Sequence, residues 1–183
     1  DMSFSLDRMK HMIKTANSLV ILDHHETAME ALSEIDDKYK WFDMDHSGAY
    51  LSWKFFHRGE TKIPKLVKWV EAHDIWKQDF PQVKEFSAWW DQHYNIKKLP
   101  EDFHYYDKFL DDDYLQKQVN IYGPPLHRQL VAMVESCLNY ASLKLYKIRG
   151  SIVHVASLNT TVLKSEIGNA LMKKYPFIDM AMV

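Results

Sequence analysis

A chain of 183 residues, 46% hydrophobic and 26% charged, suffices for one ordinary domain or two small ones, with a core that needs no disulfide or structural metal. An aromatic content of 14% excludes disorder, charges interrupt every apolar run before the roughly 18 residues of a membrane span, and the single Cys137 excludes an intramolecular disulfide. The net charge of −2 gives no global case for a polyanion-binding surface.

That near-neutral total hides a gradient. Residues 1–78 carry 11 basic and 13 acidic groups, residues 79–113 carry 4 and 9, and residues 114–183 carry 8 and 3. All six Trp residues precede position 91. An N-terminal unit over 1–82, a helical connector over 83–146 and the start of a second unit over 147–183 are therefore expected. The first residues do not read as a signal peptide, and a cytoplasmic location is expected.

Met9, Met12, Ile13 and Ala16 recur at helical spacing, predicting an amphipathic helix that ends near Asn17-Ser18. Leu19-Val20-Ile21-Leu22 reads as a buried parallel strand. Thr27, with Glu30 three residues on, predicts a capping box for a helix reaching Ile35. Tyr39–Met44 reads as a second strand, and Ser47 opens a helix to about Arg58 that Gly59 closes. Pro64 is expected at the first position of the next helix. Helices alternating with short buried strands predict the α/β class, with a parallel sheet covered by helices.

The middle reads as helices over Val83–Tyr94 and Tyr105–Asn120, then a break at Gly123-Pro124-Pro125 and a longer helix bearing Leu126, Leu130, Val134 and Leu138. Ile148–Ser157 is expected as a strand, Ser165–Lys174 as a helix capped by Ser165, and Phe177–Val183 as a final strand of an uncompleted βαβ unit. Helical spacing assigns Trp89, Trp90, Tyr105 and Tyr106 to packing ahead of base stacking, and Cys137 reads as a buried thiol.

The sharpest chemical feature is Asp23-His24-His25, at the end of the first strand, where open α/β sheets hold their ligands. Carboxylate oxygen and imidazole nitrogen suit Mn²⁺, Fe²⁺ or Zn²⁺. The bare triplet is equally well a surface loop with two solvated histidines. Asp74, late in a helix and beside Ile75-Trp76, is a carboxylate that needs a cation or hydrogen-bond donors if buried.

Together these features resemble the DHH family of metal-dependent phosphoesterases. Asp1-Met2-Ser3-Phe4-Ser5 is similar to its second motif, Val20–Ala28 to its third, Ser47-Gly48-Ala49 with Trp53 to its Ser-Gly-Ala helix, and His73-Asp74-Ile75-Trp76 to its fourth. Ser165-Glu166-Ile167-Gly168-Asn169 resembles the opening of the family's C-terminal substrate-binding domain. The resemblance implies a two-metal hydrolase using Mn²⁺, Mg²⁺ or another divalent cation. Asp1 would bridge the metals, His24 and Asp74 would be metal ligands, His25 would contact the scissile phosphate, and Asp23 would orient its neighbours. Ser165 would be a further substrate contact, although its expected work as a helix cap comes first.

The implied substrate is a short RNA or DNA oligonucleotide or a cyclic dinucleotide, with no membrane partner and with a homodimer left open. A RecJ-type single-strand exonuclease is the alternative within the class, and a non-catalytic nucleotide-binding or interaction protein the alternative outside it. The family's first motif, a His and two Asp residues, and its C-terminal Gly-Gly-His segment have no counterpart here. Asp43-Met44-Asp45-His46 has the wrong order to replace the first. The chain therefore reads as an internal fragment, inactive or nearly so in isolation.

Overall fold

The computed structural model describes residues 3–59, 62–93 and 103–183. It is mixed α/β, with seven α-helices and two small sheets among those residues, and divides into two compact units, Asp1–Pro124 and Pro125–Val183. Among the described residues no helix is long and apolar enough to cross a membrane.

Unit 1 begins with α1 (Leu6–Thr15), whose Met9 is buried with Ile21, Leu32 and Ile35. Strand β1 (Ile21–Asp23) pairs in parallel with β2 (Lys40–Phe42), Leu22 opposite Trp41 and Asp23 opposite Phe42. Their carboxyl ends share one edge, where the chemistry-bearing loops emerge. Between them α2 (Glu26–Ala31) begins before the expected cap: Thr27 lies inside it and His25 occupies the N-cap with no side-chain cap bond. The Asp23 carboxylate already takes the backbone N–H groups of His24 and His25, so the chain turns as soon as the strand ends.

Ser47 caps α3 (Gly48–Phe56) as expected, accepting from the Tyr50 N–H at 3.2 Å. Helix α4 (Lys65–Asp74) starts one residue after the expected point, with Pro64 as the flanking N-cap. Pro64 has no side-chain acceptor to offer, and the carboxylate of distant Asp112 accepts the Lys65 N–H at 2.7 Å instead. Helix α4 ends in a Schellman arrangement, with Lys77 N–H on Ala72 O and Trp76 N–H on His73 O. Trp76 holds the left-handed position at φ +56° that glycine usually takes.

Helix α4 packs against α3 and against α5 (Val83–His93), where Trp69 stacks on Phe86 and Trp89 meets Phe109 edge-on. Trp89 is fully buried, as packing predicts, whereas Tyr105 is exposed. The expected helix over Tyr105–Asn120 resolves into a 3₁₀ segment, Phe103–Leu110, followed by α6 (Asp112–Leu138). Contrary to expectation, α6 runs through Gly123-Pro124-Pro125. A Cβ at Gly123 would stand 2.8 Å from the Cβ and carbonyl oxygen of Glu85, so the residue that looked like a breaker permits close approach to α5.

Unit 2 carries strands β3 (Ser142–Ile148), β4 (Ser151–Ser157) and β5 (Met180–Met182) in the order β3-β4-β5. Strand β3 was not anticipated. It pairs antiparallel with β4 through a two-residue turn in which Arg149 and Gly150 both have positive φ, the type I′ geometry that matches strand twist. Strand β5 pairs in parallel with β4 after α7 (Lys164–Lys174), so the βαβ unit is completed. Leu163, at φ +53°, is the N-cap of α7, which places Ser165 in its exposed first turn and not at the cap. Val134, Ala156, Leu158, Ile167, Leu171 and Ile178 form the core of this unit, with half-buried Cys137 packed on it.

Candidate metal centre

Asp23 ends β1 with its carboxylate turned into the protein. It is one of two buried polar residues among those described, only 2% exposed. Oδ1 accepts His24 N–H at 2.7 Å, His25 N–H at 3.2 Å and His25 Nδ1 at 2.8 Å, while Oδ2 accepts the Ser3 hydroxyl. Burial pushes the Asp23 pKa up, but the bonds from Ser3, the His25 ring and the two backbone N–H groups outweigh it and hold the carboxyl at about 2. An ionised carboxylate can only accept, so the proton on the His25 ring that faces it sits on Nδ1.

His24 follows on the same loop and turns towards α4. Its Nε2 lies 3.3 Å from Oδ2 of Asp74, the last residue of that helix. Atoms sharing a cation at about 2.0–2.2 Å and an angle near 90–110° stand roughly 3 to 3.5 Å apart, so this pair has the separation of two ligands on one ion. One nitrogen and one carboxylate oxygen suit Mn²⁺ or Zn²⁺. The Asp23, His24 and His25 donor atoms lie within 4.8 Å of one another. Asp23 accepts four hydrogen bonds from the protein, so a cation at this edge would be held by His24 and Asp74, with Asp23 behind them bonded to the His25 ring.

Of the residues named from sequence, the fold thus brings Asp23, His24, His25 and Asp74 to one sheet edge. Asp1 lies outside the described residues. Ser165 belongs to unit 2, in the first turn of α7.

Ser3 and Glu71 carry no role in the sequence pattern, and His46 enters it only within Asp43-Met44-Asp45-His46, whose order does not fit the first motif. Ser3 lies in the segment compared with the second motif, but its bond to Asp23 joins residues that no local spacing connects. His46 follows β2 as His24 follows β1, and its Nδ1 lies 3.3 and 3.4 Å from the two carboxylate oxygens of Glu71. The signal was available: a His in the loop after the second parallel strand, and a Glu one helical turn before Asp74.

No family model matches this sequence. An uncharacterized protein of Acanthamoeba polyphaga mimivirus is 27% identical over 184 residues, covering all of this chain. The crystal structure of an uncharacterized protein from Helicobacter pylori G27 aligns over 99% of this chain at 12% identity with a TM-score of 0.39. The chain spans 42% of the length of the viral relative and 63% of the bacterial chain to which it is similar.

Proposed function

We propose that this chain forms part of a metal-dependent phosphodiester hydrolase of the DHH type, acting on short oligonucleotides or cyclic dinucleotides. One observation carries the reading: His24 Nε2 and Asp74 Oδ2, from a strand-end loop and a helix end far apart in sequence, meet at 3.3 Å above a buried, fully bonded Asp23. A divalent cation held there would polarise the phosphate and lower the pKa of a bound water, the same chemistry that a two-metal site shares between two ions. His24 would supply an imidazole nitrogen to that cation and Asp74 a carboxylate oxygen. Asp23 fixes the tautomer of His25 through Nδ1, and the other ring nitrogen would contact the scissile phosphate. Asp1 is assigned the bridging carboxylate by resemblance alone.

The complete natural polypeptide containing this chain, supplied with Mn²⁺, should release mononucleotides from a dinucleotide. His24→Ala should bring that release below detection while the circular dichroism spectrum of the folded protein is retained. Full activity in the variant would place the site elsewhere, and no release by the parent protein would sink the hydrolase reading.

A further inference from the structure

The second imidazole–carboxylate pair, His46–Glu71, stands beside the first in a specific way. Glu71 and Asp74 are three residues apart on α4, so they share a helix face with Cβ atoms about 5–6 Å apart. Each meets a histidine from a loop at the carboxyl edge of the parallel pair: Asp74 meets His24, and Glu71 meets His46. The His46 loop is itself ordered. Asp43 N–H donates to Asp23 O at 3.2 Å, Asp45 N–H donates to the Asp43 carboxylate at 3.0 Å, and Ser47 begins α3. The ring is held twice more, stacked on Tyr50 at 3.9 Å and 8° and bonded through Nδ1 to Glu71, whose carboxylate also lies 3.7 Å from Lys77 Nζ. A histidine that only covered surface would need no such orientation, and its side chain stays one-third exposed.

We propose that His46 is the general acid of the site, protonating the leaving oxygen of the phosphodiester, with Glu71 as the positioning residue that orients it. The assignment rests on the hydrolase reading above. Attack and departure lie on opposite sides of phosphorus, so the acid belongs beside the ligands of a cation and not among them, and Glu71, one helical turn from Asp74 on α4, brings His46 to that side of the helix. The water-derived oxygen forms its bond to phosphorus. The bond from phosphorus to the leaving oxygen breaks with its electron pair on that oxygen, which takes the Nε2 proton of His46, and the neutral ring recovers a proton from solvent.

His46→Asn tests this in the complete natural polypeptide with Mn²⁺, because the Asn amide can keep the bond to Glu71 but carries no Nε2 proton. Against a dinucleotide, whose leaving group is an alkoxide, turnover should fall about 10²–10³-fold. Against thymidine 5′-(p-nitrophenyl phosphate), whose phenolate departs unprotonated, the loss should be below about fivefold. Glu71→Gln should show the same selectivity with a smaller loss. Equal losses on both substrates, or no loss on the dinucleotide, would overturn the assignment while the parent's activity upheld the hydrolase reading. A parent protein inactive on both substrates would overturn the two together. A readout independent of turnover completes the test: in EDTA, dithymidine monophosphate should shift the His46 imidazole proton resonances, and no shift counts against the assignment.

Discussion

Both units contain a histidine paired with an aspartate, and the contrast between the pairs shows what makes such a pair a site. In unit 2, His154 Nδ1 lies 3.3 Å from Asp179 Oδ2, with both side chains about half exposed. The His154 backbone N–H, then its ring, lowers the Asp179 pKa, and water competes for every one of these contacts. In unit 1, Asp23 carries the same chemistry with its carboxylate buried and four donors aimed at it. Water cannot replace those donors, so the arrangement is fixed before any ligand arrives. Residue type is the same in the two places. Burial and the number of donors differ.

The contrast breaks most directly by substituting both aspartates. Asp23→Asn removes the charge and puts an NH₂ group in place of one of the two accepting oxygens, a cost of about 1–3 kcal/mol. Asp179→Asn keeps an acceptor for the His154 N–H in a solvated setting and should leave the urea midpoint where it was. Equal shifts in the two variants, followed by circular dichroism, would remove the distinction drawn between the pairs.

A smaller effect is expected at Asp112, which bonds the free N–H at the start of α4 and so anchors the helix that carries Glu71 and Asp74. Burial raises the Asp112 pKa, but the Lys65 N–H and the Lys62 ammonium, 3.2 Å away, bring it below the ordinary carboxylate value. A depressed folded-state pKa stabilises the fold above the unfolded-state value, and that contribution disappears as pH falls from about 4 through the lower folded-state value. Asp112→Ala should therefore cost about 1 kcal/mol at neutral pH and progressively less in acid. A penalty that persisted undiminished at pH 2 would mean that packing, not charge, is what Asp112 supplies.

How far the sequence revealed this arrangement depended on the range of the interaction. Asp23-His24-His25 was legible because an apolar strand run precedes it, and Ser47 because its cap bond spans three residues. The meeting of His24 with Asp74, and of His46 with Glu71, depends on where α4 packs, which no periodicity encodes. Local signals also misled where tertiary contacts overrode them. Gly123-Pro124-Pro125 reads as a break, yet α6 continues through it, and Gly123 serves the close approach to Glu85. Thr27-Ala28-Met29-Glu30 reads as a capping box, yet the Asp23 carboxylate had already taken the neighbouring N–H groups. Strand β3 carries Leu143, Leu145, Tyr146 and Ile148 among two lysines without a clean period of two, and all its residues are exposed, so no buried face marks it in the sequence.

The smallest expected effect separates the units through backbone strain. Trp76, just past the Asp74 end of α4, and Arg149, in the β3–β4 turn, both adopt left-handed conformations, at φ +56° and +49°. For a residue with a Cβ that costs roughly 1–2 kcal/mol, part of which the greater chain entropy of a glycine would offset. Arg149→Asn, the residue that type I′ turns favour before Gly150, should raise the stability of the hairpin by a few tenths of a kcal/mol. Trp76→Gly relieves the same strain but also removes an indole that is half buried. If the indole only covers solvent-facing surface, the urea midpoint rises by an amount similar to that for Arg149→Asn. A fall in midpoint for Trp76→Gly alone would mean that the indole's packing outweighs the strain, and that the Schellman turn is held in place by the side chain as well as by its two backbone bonds.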